Sequence, residues 1–181
     1  MTHDIAHLGH VEMLTDRFDE SLDFFTRVYG LKLSGQDADS AYLRAWDDYE
    51  YHSLKLTRSD RTGVGHIGYR AASPEALERR VAAIEASDYK THGWVDGDDG
   101  HGRAFRFEDG FGHLFEIYYD TCWYDPGDTA DRPALKNTAS AYTGAPPRRI
   151  DHVNLLADDI TAFRTFMETC LGSRVTEYIQ L

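Results

Sequence analysis

Cysteine is scarce in this chain: Cys122 and Cys170 are the only two among 181 residues, and they lie far apart. That spacing excludes a disulfide framework and leaves two free thiols, as in a reducing compartment. Basic charge is also short, with 19 Lys and Arg against 31 Asp and Glu for a formal charge of −12. A surface that grips phosphates needs the opposite balance, so nucleic acid is excluded as a partner and small molecules or proteins are favoured. No apolar run near the N-terminus is long enough for a signal peptide or a membrane span. The expectation is a soluble cytoplasmic protein. Proline is almost missing outside one stretch: four of the five, Pro126, Pro133, Pro146 and Pro147, fall between Thr121 and Arg149 with Gly, Asp and Thr. Connections of that length are uncommon inside a compact domain, so this stretch reads as a linker or long arm.

What the chain does have is internal repetition. HLGHVEMLTDRFDESLDFFTRVYG, His7 to Gly30, returns without a gap as RIDHVNLLADDITAFRTFMETCLG, Arg149 to Gly172. The copies agree at His10/His152, Val11/Val153, Leu14/Leu156, Asp16/Asp158, Phe24/Phe166 and Gly30/Gly172. A fainter copy opens at Gly65 with GHIGYRAASPEALERRVAAIEAS. Units of this size are duplicated supersecondary modules rather than solenoid repeats.

Taken in order, Leu8 to Leu14 alternates, putting His10, Glu12 and Leu14 on one face of a strand and Gly9, Val11 and Met13 on the other. Asp16 and Asp19 favour a helix start, and Phe18, Leu22, Phe25 and Tyr29 form its apolar stripe, with Gly30 as the stop. Strands are expected near Leu31 to Gln36, Ala41 to Trp46 and Tyr51 to Thr57, giving a βαβββ module. The second module repeats the plan: Ser73 and Pro74 open a helix with Leu77, Val81 and Ile84 inside. Its strands are expected at Tyr89 to Val95, Arg103 to Glu108 and His113 to Tyr119, where Leu114, Glu116 and Tyr118 share a face. GDDGHGR, Gly97 to Arg103, lacks the strand-to-helix context of a phosphate loop and reads as a solvated turn, with His101 and His113 as loop residues. The third module begins at Arg149 and reaches only its helix and the start of a strand, so the chain reads as truncated.

The stretches GHVEML, YLRAWDDYEYHSLKLT, GHLFEIYYD, RPALKN and RIDHVNLL resemble the vicinal oxygen chelate superfamily. Within it they resemble the two-domain type I extradiol dioxygenases of the catechol 2,3-dioxygenase kind. The resemblance implies an α+β fold of paired βαβββ modules, with mixed curved sheets and helices on the convex face. The domains would be 1–120, with modules 1–57 and 63–120, a Pro-rich arm 121–148, and the start of a catalytic domain at 149–181. It also implies Fe(II) held by two His and one Glu in the second domain, of which only the first, His152, can be placed. Such a set holds the metal on one face and leaves positions for a catechol and O2, which brings both reactants together and acidifies the diol. The product would be a muconic semialdehyde. The 181-residue chain alone is expected to be inactive, and the intact enzyme to be a homo-oligomer using a small aromatic diol and O2, with no nucleic acid or membrane partner.

Symmetry singles out a second set. His10 opens module one, His66 opens module two and Glu116 lies on the closing strand of module two, so the three should face one centre on the concave side. Lys55 falls at the fourth position, where glyoxalases carry a carboxylate, and a cation there opposes metal binding unless it is paired. The bland alternative is a relic of duplication, with Glu116 bridged to Lys55 or Arg70 and the two histidines hydrogen-bonded. Two further functions stand beside the dioxygenase: a one-domain small-molecule-binding module of the glyoxalase/bleomycin-resistance type, and an oligomerisation scaffold.

Overall fold

In the computed structural model, residues 3–124, 144–177 and 179 are described. The first module comprises β1 (Ile5–Thr15), α1 (Phe18–Asp23), which runs on into a π turn (Phe24–Val28), then β2 (Lys32–Gln36), β3 (Ser40–Arg44) and β4 (Leu54–Arg58). The second comprises β5 (Gly63–Ala71), α2 (Pro74–Glu85), β6 (Thr91–Val95), β7 (Ala104–Glu108) and β8 (Leu114–Tyr118), and α3 (Ile160–Leu171) follows. The expected βαβββ order is present twice.

All eight strands form one sheet in the order β2-β3-β4-β1-β5-β8-β7-β6. At its centre β1 and β5 run antiparallel, and each is flanked by the closing strand of its own module in parallel. The two parallel registers are equivalent: Val11 faces Leu54 and Glu12 faces Lys55, as Ile67 faces Phe115 and Gly68 faces Glu116. The modules are thus related by a pseudo-twofold axis through the β1/β5 pair. Strand alternation then sends one set of side chains to the helices and the other to the opposite, concave face.

The helix-covered face carries the core. Ser73 caps α2 by accepting from the Ala76 amide, with Pro74 in the first turn. Leu77, Val81 and Ile84 join the core formed by Ile67, Phe105, Phe107, Phe115 and Ile117. Phe166, Cys170 and Leu171 of α3 are buried in the same core, the Phe166 ring lying 5.0 Å from Phe115 and 5.7 Å from Phe107. Under the first module the core is smaller, with Phe18, Ala41 and Leu56 in one cluster and Leu31, Leu43 and Ala45 in another. Both cysteines are free, Cys122 exposed and Cys170 buried.

The first helix departs from expectation. No side chain caps its start; Thr15 Oγ1 instead accepts from the Arg17 amide. The stripe breaks at the π turn, where the added residue rotates the face and leaves Tyr29 largely exposed while Phe18 is buried. Strand β4 begins at Leu54, so Tyr51 to Ser53 belong to the preceding loop. The expected opening strand of module three is also absent: residues 150–157 form no ladder among the described residues. A strand needs a neighbour to accept its hydrogen bonds, and here Ile150, Val153 and Leu155 lie against the core under the second module while Leu156 faces outward. The arm expected at 121–148 and RPALKN lie mostly outside the described residues.

Candidate metal centre

His10, His66 and Glu116 meet on the concave side, delivered by β1, β5 and β8, and all three are fully buried. His10 Nε2 stands 2.9 Å from His66 Nε2, and Glu116 presents Oε1 at 3.7 Å to His10 and Oε2 at 3.7 Å to His66. A fourth group joins them from the loop between β6 and β7: Asp98 Oδ2 lies 3.3 Å from His66 Nε2 and 3.5 Å from His10 Nε2. The His10 ring fits because Gly68 sits opposite; a Cβ there would lie 2.2 Å from His10 Cε1.

The donor set fits a divalent cation. Ligand atoms about 2.0 to 2.2 Å from one ion stand roughly 3 to 3.5 Å from one another, and the donors here stand 2.9 to 3.7 Å apart, so small side-chain shifts would seat an ion. Asp98 Oδ2 and Glu116 Oε1 are buried and have no hydrogen-bond partner. Each such orphaned oxygen costs about 1–3 kcal/mol or more when charged, unless something positive meets it. His66 is oriented as a metal-bound imidazole would be: Nδ1 hydrogen-bonds Glu12 Oε2 at 2.8 Å, which turns Nε2 to the centre, where it shares a hydrogen bond with His10 Nε2 at 2.9 Å. Thr57 Oγ1 donates to Glu12 Oε1 at 2.7 Å and fixes that carboxylate in turn.

The charges point the same way. Glu12, Asp98 and Glu116 face two fixed cations, Lys55 and Arg106, which leaves one negative charge uncompensated. Burial holds His10 well below its ordinary value, helped by His52, His66 and His101, so it is neutral. His66 is pulled down by burial, but the carboxylates of Asp98, Glu12 and Glu116 around it outweigh that and raise it to about 9. Burial pushes Asp98 up, yet His66, Lys55 and His10 hold it far below the usual carboxylate range. In the absence of a metal, a proton on His66 supplies the missing charge, so a cation binding there displaces it.

Beside this set lies a stack of rings. His52 and His101 are 4.3 Å apart and stacked, and His101 stacks on Tyr118 at 4.4 Å. None of the four ring nitrogens of His52 and His101 has a hydrogen-bond partner, and with His10 they form a second grouping of close ligand atoms. Both rings are neutral, burial holding His52 well below its ordinary value and bringing His101 down to about 4. Tyr118 donates to Glu50 Oε2 at 2.7 Å, and Glu50 Oε1 meets His7 at 2.6 Å. The stack lies against the His10 ring, at 4.9 Å from His52, 4.9 Å from His101 and 5.4 Å from Tyr118.

Several expectations need correction. Glu116 is paired with Arg106, at 2.7 Å, rather than with Lys55 or Arg70. Lys55 instead binds Asp98 Oδ1 at 2.6 Å and Glu12 Oε1 at 3.2 Å, so the cation at the fourth position is already paired. GDDGHGR is no solvated turn, since Asp98 is 7 % exposed and the His101 side chain 0 %. The flanking glycines were its one local signal: a Cβ on Gly97 would come within 1.9 Å of the Gly102 carbonyl oxygen, marking a pinched neck. His152 stands apart, its side chain 82 % exposed and its Nδ1 3.0 Å from Asp151. Among the described residues no other His, Cys or acid joins it in a ligand cluster.

Comparison with known proteins agrees with this architecture. The chain is 40% identical over 178 residues to the metapyrocatechase of Geobacillus stearothermophilus, covering 98% of this chain and 54% of that protein. It is 34% identical over 184 residues to the manganese-dependent 2,3-dihydroxybiphenyl 1,2-dioxygenase of Geobacillus genomosp. 3, covering all of this chain and 58% of the relative. It superposes with a TM-score of 0.84 and 28% identity on a variant of homoprotocatechuate 2,3-dioxygenase from B. fuscum in complex with HPCA, over 98% of this chain and 47% of the other. The chain therefore spans about half the length of the proteins it matches. With the paired modules, the eight-stranded sheet and a family profile that matches residues 7–117, the chain belongs to the Glyoxalase/Bleomycin resistance protein/Dioxygenase superfamily.

Proposed function

We propose that this chain is part of an extradiol ring-cleaving dioxygenase acting on catechol or a substituted catechol with Fe(II) and O2. The observation that supports it is the match along almost the whole chain to two relatives whose names are those of ring-cleaving dioxygenases. On this reading residues 1–120 are the first domain, 121–148 the arm and 149–181 the start of the catalytic domain, where His152 supplies one iron ligand. The manganese-dependent relative makes Mn(II) the second candidate metal. The protein works in the cytoplasm as a homo-oligomer; among the described residues no helix is long and apolar enough to cross a membrane.

The first domain adds its own divalent cation at His10, His66 and Glu116, where the orphaned carboxylate oxygen and the paired imidazoles fit one. When bound, the ion supplies the positive charge this centre lacks. The residues do the rest: Glu12 holds the His66 proton at Nδ1, and Arg106 takes one oxygen of Glu116 and leaves the other free. The alternative of a one-domain small-molecule binder has less support, because the chain runs on past the paired modules into a third copy of the repeat, which a self-contained pair would not need.

Two measurements test these readings. The intact enzyme is expected to turn catechol yellow aerobically with Fe(II), and His152→Ala to lose both iron and activity; an active variant would remove His152 from the site. The 181-residue chain is expected to show no such activity, and to carry about one divalent metal per chain that is lost in His66→Ala. Equal metal in wild type and variant would leave the His10, His66, Glu116 set as a relic of duplication.

A further inference from the structure

The cation site in the first domain has a feature that strand symmetry does not supply. Three of its donors come from strands, but Asp98 comes from the loop that crosses over the concave face. We propose that Asp98 is the fourth ligand of a closed, structural divalent-cation site, and that the ion fastens the 96–103 loop down onto the sheet. This rests on the reading of His10, His66 and Glu116 as metal donors.

The geometry separates the two oxygens of Asp98 into distinct tasks. Oδ1 accepts from Lys55 Nζ at 2.6 Å, and Oδ2 is buried, has no hydrogen-bond partner and lies 3.3 and 3.5 Å from the two imidazole nitrogens. Lys55 is thus a positioning residue. It occupies the pseudo-symmetric counterpart of Glu116 on β4, where its own charge would repel a cation, and it instead aims the loop's carboxylate inward. Pairing with both Asp98 and Glu12 neutralises that charge.

The loop around Asp98 is built to close. Gly97 and Gly102 approach so tightly that a Cβ on Gly97 would strike the Gly102 carbonyl oxygen. Tyr51 from the other module covers Gly100 and donates to Asp99 Oδ2 at 3.0 Å. The Gly102 amide is held by the Asp120 carbonyl at 2.8 Å, and His101 pairs with Thr121. With all four donors buried beneath this cover, an ion here has no open face for a substrate. Two imidazoles and two carboxylates suit borderline first-row cations such as Mn(II), Fe(II) and Zn(II). A metal that ties a loop to two central strands stabilises the closed form by its differential affinity for it.

The test uses Mn(II) with the 181-residue chain freed of metal by chelation. Mn(II) affinity and amide hydrogen exchange are measured for wild type, Asp98→Asn and His66→Ala. In the wild type, Mn(II) should slow exchange across residues 96–103 by about tenfold or more, a readout that needs no variant to fold. Asp98→Asn should keep binding through the three strand donors but about tenfold or more weaker, with no added protection of the loop. His66→Ala should lose binding. A wild type that takes up no Mn(II) overturns the metal reading and the loop ligand together. Wild-type binding with Asp98→Asn equal to it in affinity and protection overturns the loop ligand alone, as does wild-type binding that leaves exchange at 96–103 unchanged.

Discussion

His66 is held from both ends of its ring, by Glu12 at Nδ1 and by the buried centre at Nε2, while His10 depends on empty space. That space is Gly68, and Gly68→Ala should drive the His10 ring aside, because a Cβ there would lie 2.5 Å from Nδ1. The expected outcome is a drop of more than tenfold in Mn(II) affinity with a stability loss of about 1–3 kcal/mol, read by titration calorimetry and urea denaturation. Unchanged affinity would mean that His10 does not depend on this approach. At this scale His10, His66 and Glu116 were legible because strand alternation and module symmetry fix the face each one takes. Asp98, His52 and His101 were not. Around Asp98 and His101, Gly97, Asp99, Gly100 and Gly102 carry the signature of a surface turn, and only contacts distant in sequence, such as Tyr51 with Asp99 and His101 with Tyr118, show that the turn folds inward, where His101 meets His52.

The elements were largely legible where periodicity is strong. Strands β2 to β8 fall within a few residues of expectation, and the Ser73 cap and apolar stripe of α2 are as the sequence implies. The first helix differs because a π turn leaves no mark in hydrophobic spacing, and 150–157 differs because alternation shows which side chains turn inward but not whether a partner strand exists. Alternation still operates there, with Val153 and Leu155 inward and His152, Asn154 and Leu156 outward. Helix α3 is capped by Asp159, which accepts from the Thr161 and Ala162 amides, and ends at left-handed Gly172. Its anchor on the core of the second module is Phe166. Phe166→Ala should cost about 3–5 kcal/mol in urea unfolding followed by circular dichroism. A loss under about 1 kcal/mol would mean that α3 is not docked on that core.

For the whole molecule, duplication is the organising fact. The pseudo-twofold pairing of β1 with β5 carries one His from each module to the axis, which is why a centre forms where two modules meet. Departure from symmetry then gives the site its character: Lys55 replaces a possible ligand, and Asp98 from the second module replaces it in space. The central claim is that this centre holds a cation, and the most direct measurement is an anomalous difference map from crystals of the chain grown with Mn(II). The account predicts one peak per chain about 2.0–2.2 Å from His10 Nε2, His66 Nε2 and Glu116, with Asp98 Oδ2 as the fourth contact. A map with no peak there, at saturating Mn(II) and with His10 and His66 still 2.9 Å apart, would contradict it.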